Sequence, residues 1–106
     1  MSQENPNQYF MALLQQHEFI GMIGLGKVAD PATNKAETDL EKAKYAIGIL
    51  EMMEKKTAGN LNEIELQALQ RVLTSLRINF VDEMKKSPNQ SPAQEPEESA
   101  EDQTDS

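Results

Sequence analysis

Twelve of the twenty residues from 9 to 28 are apolar: Tyr9, Phe10, Met11, Ala12, Leu13, Leu14, Phe19, Ile20, Met22, Ile23, Leu25 and Val28. A helix covered on one side needs only about nine apolar positions over that length, at three per heptad. The surplus wraps around the helix. A first helix from about Asn7 to Leu25 must therefore be covered on more than one side. Two further helices of the same chain supply part of the cover. A second copy of the chain, or another helical protein, is expected to supply the rest. Phe10, Leu14, Phe19 and Ile23 are the residues expected to meet that partner.

The rest of the body reads as two more helices. Asp30-Pro31-Ala32-Thr33-Asn34-Lys35 is a loop rich in turn formers. Thr38 with Glu41 has the spacing of a capping box, and Asp39 adds negative charge to the first turn of a second helix. Ala43, Ile47 and Leu50 form its inward stripe, flanked by Ala46 and Met53, while Tyr45, Ile49 and Met52 form a second stripe. Lys55 and Lys56 suit its carboxyl end, and Gly59 is expected to be the left-handed stop. Asn62 with Glu65 predicts the start of a third helix, with Leu61 and Leu66 placed as a hydrophobic staple. Leu69, Val72, Leu73, Leu76, Phe80 and Met84 continue as an apolar stripe, and Lys85, Lys86 and Pro88 close it. The short link from Thr57 to Leu61 predicts an antiparallel hairpin of the second and third helices. No run alternates with period two, so no strand is expected.

Several candidate chemistries fail on spacing. Asp30 to Glu41 has the length of a calcium loop, but Ala32 stands at the third position and Lys35 where glycine is needed. His17-Glu18-Phe19-Ile20-Gly21 begins like a zinc protease motif and ends in glycine instead of histidine. Gly21, Gly24 and Gly26 have the wrong order for a dinucleotide loop. Their bland reading is close helix approach at Gly21 and Gly24 with Gly26 ending the helix, and a self-association seam is the sharper one. A DNA-reading hairpin would present Glu63 and Glu65 to phosphates. Ser75 is the one serine of the helical body and lacks an elbow motif. The acids are expected on solvated faces or caps. No catalytic residue, cofactor or metal ligand is therefore assigned, and no enzyme activity is expected. The six methionines are read mainly as core fillers, with a Met-rich adaptable surface as the alternative.

Charge divides the 106 residues unevenly. Residues 1–86 hold 12 acids and 10 bases, whereas residues 87–106 hold six acids and no base. The second segment has only two alanines as apolar residues, too little to offset the entropy of ordering. The expected organisation is a flexible N-terminus over 1–8, a three-helix domain over 9–86 and a disordered acidic tail over 87–106. There is no cysteine for a disulfide or thiolate site. The net charge of −8 argues against nucleic-acid binding. No apolar run is long enough for a membrane span, and no basic residue precedes an apolar run at the start. A cytoplasmic location is expected.

The run Lys56-Thr57-Ala58-Gly59-Asn60-Leu61, followed by Glu65, Leu76-Arg77 and Phe80, resembles the bacterial family called domain of unknown function 1844. The resemblance covers about residues 9–84, including Asp39-Leu40, Ala43 and Ile49-Leu50-Glu51-Met52. It implies a small all-helical bacterial protein and no established activity. Gly48 departs from the family pattern, which usually has an acid there. Lys56, Asn60 and Arg77 are the residues of this block open to a binding role.

The expected fold is all-α: an apolar first helix with an antiparallel helical hairpin. The expected function is a non-enzymatic helical interaction protein that self-associates. Two alternatives remain: a ligand-binding protein or enzyme with a pocket between helices, and an acidic nucleic-acid mimic or associated protein.

Overall fold

A computed structural model describes residues 5–86. The acidic tail expected over 87–106 lies outside the described residues. Three helices follow one another: α1 (Gln8–Gly24), α2 (Leu40–Lys56) and α3 (Glu63–Lys86). Among the described residues the only β-type pairing is one isolated bridge, Asp30 with Lys35.

Each helix begins where a side chain takes an orphan amide. The Asn7 side chain accepts from the N–H groups of Tyr9 at 2.9 Å and Phe10 at 3.0 Å. α1 ends in a Schellman arrangement: Gly26 N–H donates to the Ile23 carbonyl at 3.0 Å and Lys27 N–H to Met22 at 2.9 Å. This requires the left-handed conformation that Gly26 adopts, with φ at 76°.

α2 starts one residue later than the Thr38–Glu41 spacing predicts. Asp39 is the cap, and its side chain accepts from Lys42 N–H at 3.2 Å. The reason lies in α1: Asp39 N–H donates to the Gly24 carbonyl at 2.7 Å. That bond holds Asp39 extended and fixes the first helical residue at Leu40. Thr38 instead lies against Gly26, its Oγ1 2.8 Å from where a Cβ there would stand.

α2 ends at Thr57, whose hydroxyl donates to the Met53 carbonyl at 2.7 Å. Gly59 is not the residue that stops the helix. It sits inside the following turn with φ at 84°, closed by Asn60 N–H donating to the Thr57 carbonyl at 2.8 Å. α3 starts with the predicted capping box: Glu65 N–H donates to Asn62 Oδ1, and Asn62 N–H to Glu65 Oε1, both at 2.9 Å. The staple expected beside it is corrected. Leu61 packs on the core, but Leu66 lies off the inward stripe of α3 and is exposed.

The core is mainly leucine. Leu14 and Leu25 from the first segment meet Leu40, Ala43 and Leu50 of α2 and Leu69, Val72, Leu73 and Leu76 of α3. Phe80 and Met84 extend the α3 stripe as half-buried residues packed against this cluster. Glu51 pairs with Arg77 at 2.9 Å, while Ile47 and Phe80 line one groove, so α2 and α3 run antiparallel. Apolar burial of this kind contributes about 1.5–3 kcal/mol for each large side chain removed from water.

Two features stand out at the edges of the core. Residues 5–7, within the N-terminus expected to be flexible, bond to the start of α3: Asn7 N–H donates to Glu65 Oε2, and Asn62 Nδ2 donates to the Asn5 carbonyl at 3.0 Å. Residues 1–4 lie outside the described residues. Not every acid is on a solvated face or a simple cap. Glu83 is 7% exposed and Glu65 6%. Glu83 holds Lys27 and Lys86, both at 3.4 Å, and joins the loop after α1 to the end of α3.

Candidate interaction surface

The four residues expected to meet a partner do not share one surface. Leu14 is 1% exposed and Ile23 is 7% exposed, both enclosed by the chain itself. Phe10 is half-buried and packs on the core. Phe19 alone is exposed, at 46%. Leu14 and Ile23 are withdrawn from the surface for a simple reason. A helix that is apolar nearly all round does not reveal from periodicity which side its own chain covers.

Gly21 and Gly24 settle the orientation of α1. A Cβ on Gly21 would meet the Leu76 side chain at 3.0 Å and Ala46 Cβ at 3.6 Å. A Cβ on Gly24 would meet the Ala43 backbone nitrogen at 2.5 Å and the Asp39 carbonyl oxygen at 2.9 Å. The glycine seam is thus spent inside the protomer, on α2 and α3. It is not a free self-association seam.

The open side of α1 is the one its accessible residues mark out. At 100° per residue, Gln8, Tyr9, Ala12, Leu13, Gln15, Gln16, Phe19, Ile20 and Ile23 fall on one broad face. Ile23, near its carboxyl end, is buried and Ile20 is half-buried, while the others are exposed. Tyr9, Leu13 and Phe19 are its exposed large apolar members. No residue of this face carries a formal charge. Glu18, the sole acid of α1, lies on another side and is half-buried. His17 is also half-buried, with Nδ1 2.9 Å from the Leu13 carbonyl oxygen, as a residue at the core edge would be. Sequence reasoning found the apolar excess and Phe19, but it missed Tyr9 and Leu13.

A second feature lies between α2 and α3. A groove of about 340 Å³ is lined by Lys44, Ile47, Gly48, Glu51, Arg77, Phe80 and Val81. Gly48 leaves it open, since nothing lies within 4 Å of where its Cβ would be. Tyr45 and Ile49 line an adjoining hollow on the outer side of α2. Arg77 is engaged by Glu51, whereas Lys56 and Asn60 are exposed beside the hairpin turn.

The loop after α1 forms a polar hollow that includes Asp30, Thr33, Lys35, Glu37 and Lys42. Asp30 accepts from Ala32 N–H at 2.9 Å and from Lys42 Nζ at 3.1 Å. The Ala32 amide first, and the Lys42 ammonium second, hold its carboxyl below the ordinary carboxylate range. Among the described residues no group of three or more histidines or acids could hold a metal ion. Among them, too, no helix is long and apolar enough to cross a membrane.

The architecture is that of a small three-helix protein with one uncharged, partly apolar helix face turned outward. The family model described as "Domain of unknown function (DUF1844)" matches residues 8–82, and the chain belongs to that family. No curated protein and no solved structure matches it.

Proposed function

We propose that this chain is a non-enzymatic helical interaction protein that self-associates through the outward face of α1. The observation that supports it is the exposure of Tyr9, Leu13 and Phe19 on a face without a formal charge. Interface cores are depleted of charge and enriched in aromatic residues, and this face has both properties. The described body is also small for a single core, which favours cover from a second chain. Light scattering after size exclusion, run on the full chain over a range of concentrations, tests the reading. The mass is expected to rise from one chain to two. A single-chain mass at every concentration would end the self-association reading.

A second reading, a ligand-binding protein with a pocket between helices, draws on the α2–α3 groove. Its apolar floor of Ile47, Phe80 and Val81, with Lys44 beside the Arg77–Glu51 pair at the rim, suits a small apolar ligand with one anionic group. Titration with 1-naphthoate, followed by amide shifts of Gly48 and Val81, separates the two. Saturable shifts there would favour the second reading, and unmoved amides would remove it.

A further inference from the structure

We infer that a flat aromatic carboxylate lies across Gly48, with its rings on the bare backbone of α2 and its acid on Lys44. The inference rests on the ligand-binding reading of the α2–α3 groove and names the class and the place of the ligand. Four of the five glycines serve the chain itself. A side chain on Gly21 would press on Leu76, and one on Gly24 would meet the backbone of Ala43. Gly26 and Gly59 hold left-handed angles, with φ at 76° and 84°. Gly48 has none of these reasons. It stands in the interior of α2, where glycine weakens a helix, and nothing lies within 4 Å of where its Cβ would be. Open backbone of this kind is a surface that a ligand can approach closely.

Gly48 is also where two hollows meet. The groove that holds Phe80 and Val81 and the outer hollow that holds Tyr45 and Ile49 share Gly48 and Lys44. A ring system resting on Gly48 therefore has apolar side chains on both flanks, with Tyr45 and Phe80 as aromatic partners at its edges. Flat rings lay a whole face on such a strip, whereas puckered rings touch it at a few atoms only. The rim charges place the acid. Arg77 and Glu51 hold each other at 2.9 Å. Glu41 borders the outer hollow two turns before Gly48. Lys44 stands one turn before Gly48, borders both hollows and takes part in no ion pair among the described residues. A carboxylate beside it supplies the charged partner that Lys44 lacks.

Titration of the full chain with 1-naphthoate, followed by amide shifts, tests the inference on Gly48→Ala. The substitution is expected to raise the melting temperature of the free chain. It is also expected to weaken naphthoate binding about tenfold or more, the usual worth of one methylene in a pocket. A loss of affinity joined to a gain in stability cannot come from damage to the fold. Decahydro-1-naphthoate, the saturated and thicker analogue, and naphthalene-1-carboxamide, the uncharged one, are expected to bind the parent more weakly than naphthoate. Lys44→Gln is expected to abolish the preference for naphthoate over the carboxamide. If naphthoate shifts Val81 and Gly48→Ala binds it as tightly as the parent does, the crossing over Gly48 is overturned and the groove reading stands. Equal binding of the saturated analogue overturns the flat class, and a preference that survives Lys44→Gln overturns the place of the acid. If naphthoate moves no amide of the groove, the inference and the groove reading fall together.

Discussion

The backbone of Ala43 lies directly against Gly24. A methyl group there would come to 2.5 Å from the Ala43 nitrogen. Backbone cannot move aside as a side-chain tip can. Gly24→Ala is therefore expected to push α1 off α2 and to lower stability by about 1–3 kcal/mol or more. Gly48 is the contrasting case, mid-helix with open space over it. Gly48→Ala is expected to raise stability by about 1 kcal/mol, the usual difference between the two residues in a helix. Urea denaturation of both variants checks the pair, and equal effects would contradict the geometry.

Glu65 is expected to be the most costly polar residue to remove. Its carboxylate accepts from Asn62 N–H at 2.9 Å and from Asn7 N–H, and it is buried. Glu65→Ala leaves both donors without it and is expected to cost about 2–3 kcal/mol. Glu65→Gln keeps one acceptor oxygen and is expected to lose less. Thermal melts give the order. Amide exchange at Asn7 and Asn62 should accelerate in the alanine variant.

Leu14 and Phe19, five residues apart, should respond in opposite ways. Leu14→Ala empties part of a closed core and is expected to cost about 2–5 kcal/mol. Phe19→Ala changes a half-exposed position and is expected to stay within about 0.5 kcal/mol. Phe19→Glu is expected to leave the helical circular dichroism unchanged while returning the chain to a single-chain mass by light scattering. A folded Phe19→Glu dimer would place the contact elsewhere.

Asp30 gives the acid limb of stability a specific component. Its carboxyl titrates lower in the fold than in the unfolded chain, because the Ala32 amide and Lys42 favour the charged form. A depressed folded value means that the contribution is complete above the unfolded pKa. It is lost as pH falls through the folded one. Stability curves of the parent and of Asp30→Asn should therefore be separated near neutral pH and converge below about pH 4. A separation that persists unchanged into acid would remove the assignment. The group is on the surface, so the separation is expected to be small.

The sequence was most legible where the partners are neighbours in the chain. The Asn62–Glu65 capping box and the Leu69 to Leu76 stripe are patterns of three and four residues, and both were readable. Asp39 as the α2 cap was not, because the bond that fixes it comes from Gly24, across the loop. The Gly21 and Gly24 seam was legible as close approach but not as to whose backbone approaches. Ala43 and Ala46, small residues on the inward stripe of α2, were the unused clue. Glu83 also had a readable signal, since it lies three residues after Phe80 and seven after Leu76, on the inward side of α3. Its charge argued for solvent, and Lys27 outweighed that argument from 56 residues away. For the surface of α1, an excess of apolar residues could be counted from sequence. Their division into a covered and an open side needed the positions of the other helices.

The bond between Asn7 and Glu65 spans 58 residues of chain. A ribosome delivers the first of these partners long before the second. Throughout most of synthesis the amino end of α1 has its own asparagine cap but not the carboxylate that anchors it. The end that is made first is thus fastened only after most of α1 and α2 has been made. A chain interrupted anywhere before residue 65 would leave that end untied.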